Sequence, residues 1–558
     1  MRFLLFFLVI PFISLAQTIN VDHLFEESGE VYFSFDLDSK AELNRISKIV
    51  SIDHGIELPH VYAYANKSEF VKFLEFEIPY TIETKPGALF KDLNMLLSLD
   101  AKGVNDWDFY PSYDVYVEMM YTFAADYPEL CEVSSIGTSE NGRDLLVAKI
   151  TDNLTVQENE PRLLYTSSMH GDEIAGFPLS LRLIDYLLSN YETDTRIASI
   201  VNNVELWINP LANPDGAYTN NNNTVYNAQR YNANWVDLNR NYPDPEDGAH
   251  SDGNPYQAET EAFMAFADSV GFDISSNFHG GAEVANYPWD TWATYPADLD
   301  WWLHVMNEYA QLAQDNSSNN YFTAFDNGIV NGFDWYEVNG GRQDYMNYFH
   351  NCREFTLEIS NAKTPAGADL PYYWDANYNS FLAYIEQSIY GVHGIVTDSL
   401  TGAPILAEVF IANHDADNSH VYSNLPIGDY HRYLSIGNYT ITFSAEGYIS
   451  KSIAVDVSTN ETTDLDVQLL SNNVLIKENL ATNLHLFPQP AHSYINVSGL
   501  PKHTSELYVL NALGERVRSI NSEHTEAITI YKENLSAGTY FFVFIVDGIE
   551  YKKEFIFR

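Results

Sequence analysis

The spacing of apolar side chains divides the chain into stretches of different period. Residues 3–13 are an almost unbroken apolar run at the very start. From there to about residue 106, short runs at 31–35, 60–64 and 80–83 read as strands, and stretches at 39–50 and 67–75 read as amphipathic helices. Strand–helix–strand–helix–strand in so short a span predicts a small α+β domain, and Lys85-Pro86-Gly87 opens a linker. Residues 107–389 behave differently. Apolar runs at 163–166, 204–208, 274–278 and 355–359 predict buried strands, and helical periods at 113–125, 177–188, 260–270 and 301–313 lie around them. That alternation predicts an α/β sheet covered on both faces, with sites at the carboxyl ends of its strands. From residue 390 the pattern becomes all-β. Short strands at 391–397, 405–411 and 439–443 are broken by Gly and Asn turns, predicting a small sandwich over 391–470. A linker at 471–483 leads to a second β unit, 484–558, with period-2 strands at 505–510, 539–545 and 553–557.

Composition sharpens this division. At 558 residues with 46% apolar and 19% charged side chains, the chain is too long for one domain and apolar enough to bury several cores. Against 77 acidic residues stand 29 Lys and Arg, a formal charge of −48. Such a charge repels phosphate backbones and anionic membrane surfaces, so no nucleic-acid partner is expected and cationic substrates are favoured. Cys131 and Cys352 are too few for a disulfide framework or a cysteine zinc site; they read as two buried thiols, and pairing in an oxidising compartment stays open at this point. Met1-Arg2, the apolar run and Ser14-Leu15-Ala16 before Gln17 make residues 1–16 a secretory signal peptide. No later stretch reaches the roughly 18 apolar residues of a membrane helix. A secreted or cell-surface protein is expected.

Polar clusters follow the predicted strands directly. His170-Gly171-Asp172-Glu173 comes after the first, Asn209 after the second and His279-Gly280-Gly281 after the third. Two His and one Glu at strand ends match a catalytic zinc set that keeps one position for water. Taken singly, His-x-x-Glu is a common surface pair and a lone His a common core group.

Read jointly with further segments, the chain resembles the zinc metallocarboxypeptidases, specifically their regulatory, carboxypeptidase D/E/N-like branch. Those segments are Asn209-Pro210, Asn213-Pro214-Asp215-Gly216, Arg230-Tyr231-Asn232-Ala233-Asn234-Trp235-Val236-Asp237-Leu238-Asn239-Arg240-Asn241-Tyr242-Pro243, Ala285-Asn286-Tyr287-Pro288, Tyr336, Gly340-Gly341-Arg342-Gln343-Asp344-Tyr345 and Phe355-Thr356-Leu357-Glu358-Ile359-Ser360. The resemblance spans 107–389 and implies a mixed-sheet α/β metallocarboxypeptidase domain. It implies one Zn2+ per chain on His170, Glu173 and His279. Glu358 would be the general base and acid toward the attacking water, and Arg230 would stabilise the oxyanion. Asn239 and Arg240 would grip the terminal carboxylate of a peptide or protein substrate, and Tyr336 would close over it. Asp290, with Gln343 beside it, would line the side-chain pocket and select C-terminal Lys or Arg. Asp172 and Arg342 stand at positions that vary in this branch.

The flanks carry resemblances of their own. Residues 391–470, with Gly437-Asn438-Tyr439 and Gly447-Tyr448, look like the transthyretin-like sandwich of the same branch. Residues 484–558, with Phe487-Pro488-Gln489-Pro490-Ala491, Leu513-Gly514-Glu515-Arg516-Val517 and Leu535-Ser536-Ala537-Gly538-Thr539-Tyr540, resemble the sorting domain of type IX secretion, which usually has Asn where Gln489 stands. That resemblance implies the type IX machinery as a partner. Residues 18–106 stand in a pro-like position. Two other readings remain at this point: a peptidase of this type acting on cell-wall peptides or isopeptides, and a non-catalytic surface binding protein.

Overall fold

The structure, a computed structural model, describes residues 21–558 other than 27, 54–57, 90–92, 101–105, 473–483, 503, 522–526 and 547–548. The expected signal peptide at 1–16 and most of the 471–483 linker lie outside the described residues.

The first domain is an antiparallel sheet of β1 (Glu30–Asp36), β2 (Ser51–Ile52), β3 (His60–Asn66) and β4 (Tyr80–Ile82) in the order β2-β3-β1-β4. Helix Lys40–Ser47 starts where the Ser39 side chain accepts from Glu42 N–H, and helix Lys67–Leu74 starts at a reciprocal Asn66–Glu69 capping box. The two-residue period of β1 sends Phe33 and Phe35 to the helices, where Phe33 lies 5.1 and 4.9 Å from the rings of Phe70 and Phe73. Each of these rings contributes about 2 kcal/mol through burial. Tyr32 and Tyr64 point to the opposite face, against Tyr231 and Trp235 of the next domain. β1 is therefore buried on both faces, from Glu30 to Phe35. The Lys85-Pro86-Gly87 segment begins a short 3-10 turn, Pro86–Ala88, packed against Ala228, whose carbonyl would meet any Cβ on Gly87 at 2.4 Å. A short parallel pair, β5 (Met95–Leu96) with β6 (Tyr110–Pro111), leads into the larger domain.

That domain holds an eight-stranded mixed sheet. Its strands are β7 (Cys131–Thr138), β8 (Asp144–Ile150), β9 (Arg162–Ser167), β10 (Glu205–Asn209), β11 (Ile274–His279), β12 (Val284–Tyr287), β13 (Ile329–Asn331) and β14 (Arg353–Glu358), in the order β13-β12-β14-β11-β9-β10-β8-β7. The four central strands β14, β11, β9 and β10 are parallel, so their carboxyl ends share one edge. One face packs on helices Tyr113–Asp126, Gly176–Asn190, Leu299–Asp315 and Leu370–Gln387; the other packs on Ala258–Val270 and Arg342–His350. Odd and even positions of β9 divide between the two cores, Leu163 and Tyr165 to one and Leu164 to the other. Cys131 and Cys352 are free, buried thiols in different cores. The sequence reading does not anticipate the β7–β8 hairpin, β12, β13 or the helices Arg342–His350 and Leu370–Gln387.

The remainder is all-β. Short strands run from Gly391–Asp398 to Val467–Ser471. The last domain has a three-stranded sheet of His485–Phe487, Tyr494–Ser498 and Ala527–Tyr531, and a four-stranded sheet built on Thr504–Asn511 and the hairpin Gly538–Val546 with Ile549–Phe557. Alternate residues Phe542, Phe544, Phe555 and Phe557 fill its core. By packing, the chain forms two units: residues up to Ile395 with Val409–Ile441 and Ile453–Asp466, and Val396–Glu408 with Thr442–Ser452 and Val467–Arg558. Among the described residues no helix is long and apolar enough to cross a membrane.

Candidate active site

The site lies at the carboxyl edge of the parallel strands, as expected for an open α/β sheet. His170 and Glu173 follow β9, and His279 ends β11 beside Glu358, its register partner at the end of β14. Gly171 is required here by close approach, because a Cβ would lie 2.3 Å from the backbone carbon of Gly216. Three donor atoms converge. Glu173 Oε2 is 3.0 Å from His170 Nδ1 and 2.8 Å from His279 Nδ1, and the two ring nitrogens are 3.1 Å apart. Donors that close suit one ion with bonds of about 2.0–2.2 Å. The outer ring nitrogens are also engaged: His170 Nε2 is 3.0 Å from Asp237 Oδ1, and His279 Nε2 is 2.8 Å from the Asn277 amide. Such contacts aim the inner nitrogens at a metal. Lys363 Nζ donates to Glu173 Oε1 at 2.8 Å, with Arg230 Nη1 3.3 Å from the same atom, which leaves Oε2 turned to the two imidazoles. Burial raises the Glu173 carboxyl, but the charges of His170 and Lys363 outweigh it and hold it well below the usual range. The residues fit zinc: two nitrogens and one carboxylate oxygen, buried, with their outer atoms held.

Around this centre the other residues sort by what they touch. Burial, then the Glu173 charge, pushes the Glu358 carboxyl well above its ordinary value, against the pull of Lys363 and Arg230. A carboxyl held above its ordinary range is suited to general base and acid work. Arg230 Nε bonds Asp237 Oδ2 at 3.0 Å. Asp237 also caps the turn that carries Asn239 and Arg240, accepting from Asn239 N–H at 2.9 Å. Arg240 Nη1 donates to the Asn239 carbonyl, while its buried Nε and Nη2 donate no hydrogen bond among the described residues. Two unspent donors on one guanidinium form the fork that matches a carboxylate.

Asp290 lies deeper. Its Oδ1 accepts from Gln343 Nε2 at 2.9 Å and Asn286 Nδ2 at 3.2 Å. Gln343 is itself fixed by Thr356 N–H of β14, which donates to its Oε1 at 2.7 Å. Gly332 makes room, since a Cβ there would fall 1.7 Å from Asp290 Oδ1. Burial, then the charge of Asp344, raises the Asp290 carboxyl well above its usual range. Tyr336 follows helix Gly332–Trp335, and Arg240, Arg230, Glu358 and Asp290 all act on its hydroxyl electrostatically. Thus the ten expected site residues gather at one edge of the sheet. Two residues bonded into this cluster were not singled out from sequence: Asp237, inside the motif that begins at Arg230, and Lys363, on the loop just after Glu358.

Residues 116–380 match the family described as zinc carboxypeptidase, 391–470 the carboxypeptidase regulatory-like domain, and 485–558 the secretion system C-terminal sorting domain. Mouse carboxypeptidase N catalytic chain is 33% identical over 400 residues, covering 64% of this chain and 85% of that protein. The chain belongs to the zinc carboxypeptidase family. Mouse carboxypeptidase M is 35% identical over 344 residues, covering 59% of this chain and 76% of that one. Human carboxypeptidase D is 36% identical over 349 residues, 60% of this chain but only 25% of the human protein. This family member therefore spans about a quarter of the length of the carboxypeptidase D proteins it matches.

Proposed function

We propose that the chain is a secreted zinc carboxypeptidase that removes single C-terminal residues, with Lys and Arg preferred. The observation that carries this reading is the meeting of His170, Glu173 and His279 donor atoms within 3.1 Å of one another beside the strand-paired Glu358. One zinc ion per chain on those three residues would supply a Lewis acid that activates water and polarises the scissile carbonyl. Glu358 takes the proton from the attacking water and returns it to the leaving amine. Arg230 stabilises the oxyanion, an interaction typically worth about 3–4 kcal/mol in such sites. Arg240, through Nε and Nη2, holds the substrate carboxylate together with Asn239, which restricts cleavage to the last peptide bond. Tyr336 covers the bound end.

Specificity rests on Asp290 with Gln343 beside it. A basic side chain gives the buried carboxyl a partner, whereas an apolar one leaves it unpaired, a mismatch worth several kcal/mol. The −48 charge adds attraction for cationic peptides. We assign residues 1–16 to a signal peptide, 18–106 to an N-terminal α+β (pro-like) domain and linker, 107–389 to catalysis, 391–470 to the transthyretin-like sandwich, and 484–558 to export by a type IX route.

The test is metal removal and return. Chelator-treated protein should release nothing from peptides ending in Arg, Lys, Leu and Phe, and zinc should restore release of one residue, fastest for Arg and Lys. Internal cleavage, or equal activity without metal, would contradict the reading.

A further inference from the structure

We infer that Arg342 is a positioning residue: its buried guanidinium fixes the ring of His279 by way of Thr166 and Asn277, and its backbone N–H fixes Asn239. The inference rests on the carboxypeptidase reading for the parts that His279 and Asn239 play.

The first observation is a buried charge at a position the family resemblance leaves without a role. Arg342 opens the helix Arg342–His350 and is 1% exposed, its guanidinium carbon 5.2 Å from the ring of Phe263. Its Nη2 bonds Glu354 Oε2 of β14 at 3.0 Å, and the same oxygen accepts from Ser275 O–H of β11 at 2.7 Å. Replacing a buried ion pair by apolar side chains of like size is often neutral or stabilising. Stability alone therefore gives no reason for placing a guanidinium there.

The second observation is where its other nitrogen goes. Arg342 Nη1 donates to Thr166 Oγ1 at 2.6 Å. Thr166 of β9 and Asn277 of β11 are register partners, and their side chains meet at 3.1 Å. Asn277 and His279 are two apart on one strand and so share a face; the Asn277 amide lies 2.8 Å from His279 Nε2. Thr166 is 0%, Asn277 1% and His279 2% exposed, so bulk water replaces none of these bonds. With Oδ1 on Thr166 the amide offers Nδ2 to the ring. Turned over, it offers Oδ1 to a ring whose proton sits on Nε2, as it must when Nδ1 binds a metal, and gives Nδ2 to Thr166. The Thr166 hydroxyl has two lone pairs and completes the amide in either setting, while Arg342 pins that hydroxyl.

The third is the backbone of the same residue. Arg342 N–H donates to Asn239 Oδ1 at 2.9 Å, which leaves the Asn239 amide nitrogen for a substrate carboxylate. The next residue, Gln343, bonds Asp290. Arg342 thus stands where the metal set, the carboxylate grip and the side-chain pocket meet.

The test uses the full chain. Thr166→Val keeps the shape and removes the hydroxyl; Thr166→Ser keeps the hydroxyl. Arg342→Met is made together with Glu354→Gln, so that no charge is left buried alone. Zinc affinity is read by competition with a chelator, the site's geometry by the visible spectrum of the Co2+-loaded protein, and kcat and KM on a peptide ending in Arg. Thr166→Val and the Arg342→Met pair are each expected to weaken zinc about 10- to 100-fold and to change the Co2+ bands, with KM near the parent's because the backbone N–H remains. Combining them should add little, since the links act in series. Thr166→Ser should keep the parent's affinity. Arg342→Pro with Glu354→Gln also removes the N–H, at a first helical position that tolerates proline, and should raise KM as well. Parent-like zinc affinity and Co2+ spectrum in Thr166→Val, or an equal loss in Thr166→Ser, would overturn the inference whatever happens to melting, and the Thr166 variants decide it if the Arg342 variants do not fold. An unchanged KM in the proline variant would overturn the Asn239 part. A parent chain that holds no zinc would sink the carboxypeptidase reading itself, and the inference with it.

Discussion

Replacing Asp290 with Asn removes the charge proposed to select basic residues while keeping nearly the same shape. The amide retains an oxygen to accept from Gln343 Nε2, now 2.9 Å from Asp290 Oδ1, so the pocket keeps its packing. Removing one partner of a buried ion pair costs about 3–5 kcal/mol, or two to more than three powers of ten at about 1.36 kcal/mol each. In the free protein, burial and Asp344 hold the Asp290 carboxyl high, so part of the attraction is spent on ionising it. The loss for Arg substrates is therefore expected at the low end, about 100-fold in kcat/KM. A Leu end no longer faces a buried carboxyl and gains slightly. The assay compares kcat/KM for matched peptides ending in Arg, Lys and Leu on the zinc-loaded chain. An Arg-to-Leu ratio that moves less than about five-fold would refute the assignment of Asp290.

Three further outcomes follow from the same geometry. Because the Asp290 carboxyl is raised and must lose its proton to pair with a cation, the preference for Arg over Leu grows as pH rises and fades in acid; Asp344, pushed up to about 7, and Asp244 reinforce the raised value while Arg240 opposes it. A ratio that stayed flat or fell as pH rises would contradict this. Asp237→Asn loosens His170 Nε2 and should weaken zinc affinity about 10- to 100-fold in a competition titration. Removing residues 484–558 should leave turnover intact, since the proposed site ends at Lys363, but stop delivery to the cell surface; normal surface display of the truncated chain in its host would sink the sorting reading.

The parallel core was legible because its strands are short apolar runs followed at once by polar residues, as at 163–166 before His170 and 274–278 before His279. Helix Leu370–Gln387 was not. It is rich in Tyr and Asn, which are indifferent helix formers, and its Pro371 at the first turn reads as a break although that position tolerates proline. Helix Arg342–His350 is short and begins at Gly341, with no side-chain cap to announce it. Among the site residues, the metal set was readable from type and spacing. Lys363 and Asp237 were not, because their partners lie 190 and 67 positions away, and periodicity reports which face a residue occupies but not what stands opposite. The first domain was read as a separate α+β unit, yet Tyr32 and Tyr64 on its outer face gave no sign that they pack against Tyr231 and Trp235 of the next domain.

The most direct test is Glu358→Gln, measured for zinc content and for mass loss from a peptide ending in Arg, on the zinc-loaded chain. The account predicts one zinc per chain in both proteins, loss of a single Arg with the parent, and no loss with the variant. Continued release of Arg by the zinc-loaded variant, or cleavage anywhere but the last bond by the parent, would contradict it.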